Sequence, residues 1–398
     1  MQEERKKIIG MVKEGKLSTE EALILLDALE NKSEKVPETN QAHQEKYQEK
    51  QQYSNEQTED NYSSQFNDAK DKIMDFVNTA FKKIKDIDLN FNQSVDIPHV
   101  YQQANVTLTN IDVDVANGHV EVKAWDQPDV RVECQARVYR KDNRDEARAF
   151  FIDNSSFYLE NGLLRFSTQS KWMKVDTIVY IPKNDYEKVS IRTFNGSVTG
   201  EGLSGVDLKA KTANGKIVLK NMKSDKLDAE TVNGKILVTD SNAGRFSAET
   251  MHGSIDVEGE YETIDLQTLN GNLSSVLSNE GTETLHLKAV SGNINVYLPS
   301  DVGIEGDCKS NLGNVKITLE NIDVIEEKKE MVQKQVRFKR SSLTEKPIHI
   351  FAETRTGNII VQNNEKVDSQ STESVHSEGK NEPVHSEEKN DNEGEIKE

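Results

Sequence analysis

A short basic segment is the strongest candidate for binding chemistry in this sequence. The stretch "EEKKEMVQKQVRFKR" ends in cations grouped around apolar residues, within a chain whose formal net charge is −19. Such a group suits anionic lipid head groups or an acidic protein surface. A solvated loop, or a pair of hairpin strands covering a sheet, would account for the same residues. The candidate contact residues, all within an insertion at 321–346, are Lys334, Arg337, Phe338, Lys339 and Arg340.

Patterns typical of catalysis or metal binding are missing from the sequence. The eight histidines form no HExxH pair, and neither a GxSxG nor a Walker motif occurs. The two cysteines, Cys134 and Cys308, lie far apart and fit small apolar core residues. A polysaccharide-cleaving enzyme would need exposed carboxylates clustered in a groove, whereas the acidic residues here are scattered among lysines. We therefore expect no catalytic residue, no cofactor and no metal.

The composition of the 398 residues indicates a chain that folds only in part. Apolar residues make up 34% and charged residues 30%, so part of the chain cannot bury enough surface to offset its ordering entropy. The acidic balance argues against nucleic-acid binding, which needs clustered Lys and Arg. The start "MQEERKKIIGMVKEG" lacks the apolar segment of a signal peptide, and no apolar run is long enough to span a bilayer. We expect a cytoplasmic protein whose membrane contact is peripheral or through a partner.

One short motif recurs along most of the chain. "TANGKIVL" returns as "TVNGKILV", and five such glycines follow one another at steps of 19, 19, 19 and 18 residues. "AVSG" and "SNLG" follow at steps of 21, and "TRTG" closes the series after the insertion. "YIPKNDYEKVSIRTFNG" and "YLPSDVGIEGDCKSNLG" share a further echo, a Y-[IL]-P motif ahead of the glycine. A periodicity of this kind predicts a repeat architecture. The predicted corner residues are Asn195, Gly196, Asn214, Gly215, Asn233, Gly234, Asn270 and Gly271.

Two architectures fit the repeat. Asn-Gly between alternating strands favours two-residue hairpins and an antiparallel meander, whereas stacked coils give a parallel β-helix. Matching columns favour stacking, because the threonines would form a ladder of hydroxyls and the asparagines a ladder of amides. His252 is interpreted as a variant turn residue in the asparagine column. The glycines would permit the positive φ of a corner. Lys209 would lie beside Asp228, and Lys211 beside Glu230, with opposite charges on the outer face.

We therefore predict a mainly β fold, a parallel β-helix (solenoid) with about 19-residue rungs, preceded by a small helical hairpin and accompanied by a disordered linker and tail. A short helix at "NRDEARAFF" interrupts the strands. The predicted regions are a helical hairpin module at 1–30, a disordered linker at 31–66, an amphipathic helix at 67–90, the β-helix repeat domain at 95–363 and a disordered acidic tail at 364–398.

The two predicted helical regions suggest contacts. The hairpin, with a capping box at Ser18 and Glu21, is smaller than domains that usually fold alone, so it would dock on a partner or associate with a second copy. The amphipathic helix carries lysines off its apolar face, which suits an anionic membrane surface. The alternative for this helix is that it packs on the repeat domain and covers its open end.

The repeats resemble a known family. Rungs of the form "[IV]-x-[LV]-P … T-x-[NS]-G-x-[IV]" resemble the adhesin-type β-helix domain common in bacteria, over roughly residues 95–362. "ERKKIIGMVKEGKLSTEEALILLDAL" resembles the helical module that precedes this domain in YvlB- and LiaX-type proteins of Gram-positive bacteria. The resemblance implies a regulator or sensor of the cell-envelope stress response, acting with membrane-bound signalling proteins. It implies no catalytic residue.

We expect a non-enzymatic regulatory protein with a rigid β-helix as its binding surface and the N-terminal helices as its docking module. Its partners would be proteins, among them membrane-bound stress-signalling proteins, with peripheral contact to anionic membrane and no nucleic acid. The alternative is an adhesin-like module that binds a cell-wall polymer or an envelope-active peptide directly. The missing signal peptide counts against that alternative.

Overall fold

The computed structural model describes residues 93–278, 281–330, 333–341 and 346–364. The predictions for the helical module at 1–30, the linker at 31–66, the amphipathic helix at 67–90 and the tail beyond residue 364 lie outside the described residues. The described part is mainly β, with 23 strands in one connected sheet and one short helix.

The strands follow one another along the chain with short connections, and the helix lies between β4 and β5. The strands are β1 Ser94–Gln103, β2 Asn110–Asn117, β3 Val120–Trp125, β4 Val130–Tyr139, β5 Ser155–Glu160, β6 Leu163–Thr168, β7 Met173–Pro182, β8 Asp185–Asn195, β9 Val198–Glu201, β10 Ser204–Asn214, β11 Ile217–Lys220, β12 Lys223–Asn233, β13 Ile236–His252, β14 Ile255–Asn270, β15 Leu273–Leu277, β16 Thr284–Ser291, β17 Ile294–Leu298, β18 Ile304–Leu312, β19 Val315–Thr318, β20 Asp323–Lys329, β21 Lys334–Arg340, β22 Ile348–Thr356 and β23 Ile359–Asn363. The helix, α1, spans Arg144–Asp153 and confirms the prediction from "NRDEARAFF".

Local sequence explains where α1 begins and how it packs. The Asn143 side chain accepts a hydrogen bond from the Glu146 N–H at 2.8 Å and donates one to the Glu146 carboxylate at 2.8 Å. The first bond satisfies a backbone N–H of the first turn that has no partner within the helix, and the second orients the capping side chain. Ala147 and Phe151 form the buried side of the helix, and the Phe151 ring lies 5.4 Å from the His99 ring of β1.

Each repeat consists of a long arm that ends at the glycine corner and a short arm that follows it. Neighbouring long arms are parallel and in register at the repeat spacing, so Leu208 lies beside Leu227 and Thr212 beside Thr231. Short arms pair in the same way, with Ile217 beside Ile236. These pairings are those of stacked rungs and not those of an antiparallel meander.

The hydrophobic core lies between the long and the short arms. Strand residues alternate between the two faces, so one side of each arm is buried and the other carries charged residues. In one rung, Leu208 and Ala210 of the long arm and Ile217 and Leu219 of the short arm are all at most 2% exposed. The same columns continue through neighbouring rungs, which gives one continuous core.

The order of rungs in space differs from their order in sequence at both ends. Strand β2 lies between β6 and β8, and β3 lies between β7 and β9. At the other end, β22 lies between β16 and β18, and β23 lies between β17 and β19. From its place in the sequence, the "TRTG" repeat was expected to close the stack, but it does not. It is the last rung in sequence and is inserted one position inside.

The shared Y-[IL]-P motif marks the two places where the chain passes over an inserted rung. Pro182 ends β7 before the chain crosses to β8, and Pro299 follows β17 before it crosses to β18. Proline has no N–H to continue a strand ladder, so it suits the point at which the chain leaves its stack.

Both ends of the stack carry antiparallel strands, which the predicted parallel coil did not include. Strand β4 pairs antiparallel with β7 and with β1, and β5 pairs antiparallel with β6. At the other end β21 pairs antiparallel with β18 and β20. The described residues of the insertion thus include two paired strands, as one of the alternatives from the sequence had it, but these strands extend the sheet at its edge and do not cover it.

Candidate functional site

The corner glycines are required chiefly by the close approach of successive rungs. A Cβ added at Gly215 would overlap the carbonyl oxygen of Gly196, and one added at Gly234 would overlap that of Gly215. The predicted positive φ is found at Gly196, where φ is 153°, but not at Gly215 or Gly234. At these two corners glycine is needed because no side-chain atom fits between the stacked backbones.

The threonine column is buried and bonded to the backbone of the preceding corner. Thr212 Oγ1 donates to the Gly196 carbonyl oxygen at 2.8 Å, and Thr231 Oγ1 donates to that of Gly215 at 3.0 Å. Thr193, Thr250, Thr268 and Thr354 repeat this bond. The predicted threonine column is present, with Thr212 between Thr193 and Thr231, and its hydroxyls do not bond to one another. Each hydroxyl instead satisfies a corner carbonyl that the fold has buried.

The asparagine column forms the predicted amide ladder. Asn214 Nδ2 donates to Asn195 Oδ1 at 2.8 Å, and Asn233 Nδ2 donates to Asn214 Oδ1 at 2.8 Å. At the next corner Asn270 Nδ2 lies 3.2 Å from His252 Nδ1, so His252 takes the place of an asparagine. The ladder begins one rung earlier than the sequence analysis placed it, since Asn195 donates to Asn117. The signal for that rung is "VANGHVEV", which has the repeat pattern.

Two of the predicted contact residues are buried in the end of the fold. Phe338 is 1% exposed, and its ring occupies the space beside Gly306 that a Cβ there would fill. Arg340 is 4% exposed and donates to the carbonyl oxygens of Val302 at 2.9 Å and Pro299 at 2.8 Å. Burial lowers the pKa of Arg340. These two residues hold β21 in place and present no contact surface, which corrects the prediction for them.

The other three predicted contact residues remain at the surface. Lys339 pairs with Glu305 at 2.9 Å, and Arg337 lies 3.4 Å from Glu326. Lys334 Nζ donates to Oδ1 of Asn314, which follows the corner glycine of the neighbouring rung. Each cation thus has a partner inside the fold, and the group is less basic than its sequence suggests. A role for these three residues in partner contact stays a prediction.

The outer face is the solvent-facing side of the long arms, and its charges alternate from rung to rung as predicted. Lys209 Nζ lies 3.0 Å from Glu230 Oε1 and 3.7 Å from Asp228 Oδ2. Lys211 Nζ bonds to the other oxygen of Glu230. Burial tends to lower the pKa of Lys209, but the Glu230 and Asp228 carboxylates outweigh it and leave that pKa raised.

A hollow of about 570 Å³ opens on the outer face near the N-terminal end of the stack. Its floor is Ser190, a small residue between Lys188 and Arg192 along β8 and between Asp112 and Lys209 across the sheet. The sequence analysis missed this feature. The sequence does place a small residue, Ser190, where neighbouring strands carry charged side chains. That difference can be recognised only when the pairing of Ser190 with Asp112 and Lys209 is known. The lining residues are Asn110, Ile111, Asp112, Leu163, Lys188, Ser190, Arg192, Lys209 and Lys211.

The described residues include potential metal ligands and one close histidine–serine pair. No group of three His, Cys, Asp or Glu side chains within them could hold a metal ion. His119 Nδ1 lies 2.7 Å from Ser197 Oγ, but the Asp176 carboxylate accepts from the His119 backbone N–H and not from the imidazole. Without an acid that orients the ring, this pair lacks the third member of a serine-hydrolase triad.

The single helix of the described part, α1, is too short and too polar to cross a membrane. The predicted amphipathic helix at 67–90 lies outside the residues for which this was tested.

Comparison with known proteins identifies relatives across most of the chain. Residues 108–361 match the Toastrack DUF4097 family, and residues 3–34 match the SHOCT-like domain. The chain is 39% identical over 362 residues to the uncharacterized protein YvlB of Bacillus subtilis (strain 168), covering 90% of this chain and 98% of that protein.

Solved structures with a similar arrangement are more distant. A "putative adhesin" from Bacteroides fragilis NCTC 9343 has 12% identity and a TM-score of 0.36, covering 67% of this chain and 97% of its own. Another from Parabacteroides distasonis ATCC 8503 has 14% identity and a TM-score of 0.33, with the same coverage of 67% and 97%. The extent of the family match and the identity to YvlB show that this chain belongs to the Toastrack DUF4097 family.

Proposed function

We propose that this protein is a non-enzymatic interaction protein of the bacterial cell-envelope stress response. In this proposal the outer face is a rigid binding surface, and residues 1–30 dock on a second partner. The stress response rests on the resemblance to LiaX-type proteins, and a cytoplasmic site of action is the expectation from the sequence alone. The SHOCT-like match at residues 3–34 supports a separate N-terminal module.

One observation carries the proposal. The residues that make the repeat distinctive bond to one another from rung to rung, through the glycine, threonine and asparagine columns. They are therefore committed to the architecture. What varies between rungs is the outer face, where lysines, arginines and carboxylates alternate at fixed spacing. A rigid sheet with a defined pattern of charge suits recognition of a partner, because electrostatic complementarity gives specificity.

Deletion of residues 1–30 tests the docking module. The deletion is made in the bacterium that carries the protein, and crosslinked partners and the output of an envelope-stress reporter are measured. We expect loss of one class of crosslinked partner and a changed reporter response to a cell-wall-active compound. Unchanged partners together with an unchanged reporter would refute the proposal.

Charge reversal tests the outer face. Lys209→Glu places a third acidic side chain beside Asp228 and Glu230. Like charges side by side repel. We expect weaker capture of the partner that binds this face. Lys329→Glu is the control, because Lys329 lies on β20, away from the long-arm columns. Equal effects of the two variants would argue against a specific outer-face contact.

The hollow on the outer face favours a second function, direct binding of a cell-wall polymer or an envelope-active peptide. Its cations and its volume of about 570 Å³ suit part of an anionic ligand. Fractionation of the native protein into cytosol, membrane and surface pools separates the two functions. A surface pool would favour the direct binder, and a cytosolic or membrane pool would favour the regulator.

A further inference from the structure

The floor of the hollow carries a hydroxyl group without a partner. Ser190 is 7% exposed, and no hydrogen bond of its side chain occurs within the described part of the chain. On either side the long side chains of Lys188 and Arg192 rise from the same strand. The Ser190 oxygen is open to the hollow and is not sealed in the core, in contrast to Ser224 Oγ and Ser275 Oγ, which are buried without a partner among the described residues. The hollow therefore holds one donor that a bound group can use.

Among the residues that line the hollow, Lys188, Arg192, Lys209 and Lys211 outnumber the one acid, Asp112. Of these lysines, Lys188 has an acid of its own, Asp207, at 3.7 Å. Glu230 is shared by Lys209 and Lys211, one lysine on each carboxylate oxygen. Asp228, the second acid near Lys209, lies only 2.6 Å from Lys226 but 3.7 Å from Lys209. Three lysines thus share two carboxylates. An additional anion at this place would complete the pairing.

Lys211 is the cation that gains most from such an anion. Its side chain is 19% exposed. Burial lowers the pKa of Lys211 although the Glu230 carboxylate opposes that shift. The Glu230 carboxylate therefore does not fully offset the cost of removing the Lys211 ammonium group from water.

Arg192 can also turn to a ligand while Asp112, the nearer of its two acids, keeps a second cation. Its Nη2 atom lies 2.9 Å from Asp112 and 3.4 Å from Asp114. Asp112 has a second cation, Arg165, whose Nε lies 3.5 Å away. Ion pairs at this degree of exposure are worth about 0–1 kcal/mol, so exchange of one for a stronger contact costs little.

From this arrangement we propose that the hollow over Ser190 binds a phosphate group, supplied by a soluble phosphate or by a lipid head group. The donors come from two strands and from both sides of the floor. A tetrahedral group presents oxygens in all these directions, whereas a planar carboxylate presents two in one plane. Arginine and lysine together are typical phosphate ligands. The inference rests on the proposed function only in taking the outer face as the binding surface.

Calorimetric titration of the purified full chain with inorganic phosphate tests the site. The wild-type protein is expected to bind saturably, with one phosphate per chain. Lys211→Met keeps the aliphatic stem and removes the charge, and it should weaken binding about tenfold, which is the loss of one charge-assisted hydrogen bond. Ser190→Leu removes the hydroxyl and places an apolar side chain on the floor of the hollow, and it should weaken binding further.

The matched control is Lys235→Met, since Lys235 pairs with Asp256 at 2.5 Å outside the hollow. Its affinity for phosphate should stay within about twofold of wild type. Circular dichroism of each variant establishes that it is folded. The proposal is overturned if wild type shows no saturable binding at about 10 mM phosphate, or if Lys235→Met weakens binding as much as Lys211→Met.

Sedimentation with vesicles distinguishes the two sources of phosphate. If lipid head groups reach the hollow, phosphatidylglycerol vesicles will carry down the wild type but much less of Lys211→Met. If only soluble phosphate reaches it, the vesicles will carry down both proteins equally while the calorimetric difference persists. Failure of the calorimetric test leaves the stress-response proposal intact, and an unchanged stress reporter leaves the phosphate site intact.

Discussion

The Gly292 N–H donates a hydrogen bond to the carbonyl oxygen of Thr356 at 2.8 Å, although a further rung and the whole insertion separate the two residues in sequence. On its other side the inserted rung donates to the next corner, since Gly357 N–H donates a hydrogen bond to the Leu312 carbonyl oxygen at 3.1 Å. The last rung in sequence is thus bonded on both sides.

Removal of that rung should disrupt the C-terminal half of the stack. Among the buried side chains that deletion of residues 346–398 takes away are four large aliphatic ones, Ile348, Ile350, Ile359 and Val361, each worth about 1.5–3 kcal/mol of burial. The deletion also leaves β16 and β18 without the strand between them. We expect a large fall in the thermal unfolding midpoint and rapid proteolysis. Deletion of residues 366–398 alone is the control, and equal midpoints for both deletions would contradict the expectation.

Gly234→Ala should destabilise the stack by about 1–3 kcal/mol or more, because the new methyl group overlaps the Gly215 carbonyl oxygen and the rungs must separate. Gly244→Ala is the control, since a Cβ there would lie 3.0 Å from the nearest atom, the Asp225 carbonyl oxygen. Urea unfolding of both variants measures the difference. Equal stability would mean that close stacking does not select glycine at the corner.

Thr231→Val should cost about 1–3 kcal/mol, because it preserves shape while leaving the buried Gly215 carbonyl oxygen without its 3.0 Å hydrogen bond. Thr231→Ser keeps the hydroxyl and should retain more of the stability, although it loses a methyl group. The free energy of unfolding from urea titration decides between them. A valine variant as stable as wild type would show that the carbonyl group finds another partner.

Arg340→Ala should destabilise the protein by about 2–4 kcal/mol, since two backbone carbonyl groups lose a charged donor in a buried place. Lys339→Ala removes only an exposed pair with Glu305 and should cost about 0–1 kcal/mol. The thermal unfolding midpoints of Arg340→Ala and Lys339→Ala measure the difference. Similar losses would contradict a structural role specific to Arg340.

The two thiols should resist modification while the protein is folded. Burial raises the pKa of Cys134 from 9.0 to about 12, and it also raises that of Cys308. A thiol-reactive dye at pH 8 should label neither residue until denaturant is added. Because the folded pKa lies above the unfolded one, the neutral thiols contribute full stability below about pH 9 and lose it as pH rises towards 12. Labelling at the rate of a free thiol would contradict this burial.

The sequence was sufficient to predict the stacking but not its details. Register and opposite-charge pairs followed from column identity, as between Lys211 and Glu230. The acceptor of the Thr212 hydroxyl did not follow, because the Gly196 carbonyl group reaches that position only after stacking. Likewise the mixture of cations and apolar residues around Phe338 and Arg340 was visible, but the sequence did not show that both side chains would be buried.

Features that depend on distant pairing were beyond the sequence. The order of rungs cannot be read from the chain when a late repeat inserts between two earlier ones, since each repeat carries the same local signals. The hollow over Ser190 is a similar case, because its neighbours Asp112 and Lys209 belong to other strands.

The inserted last rung also determines how the fold responds to mechanical load. A pull on the C-terminal end acts first on β23, which lies between β17 and β19. An outermost strand could peel away one bond at a time, but β23 can leave only if both of its ladders are sheared along their length. A force sensor attached at this end would therefore meet resistance from the interior of the stack and not from its edge.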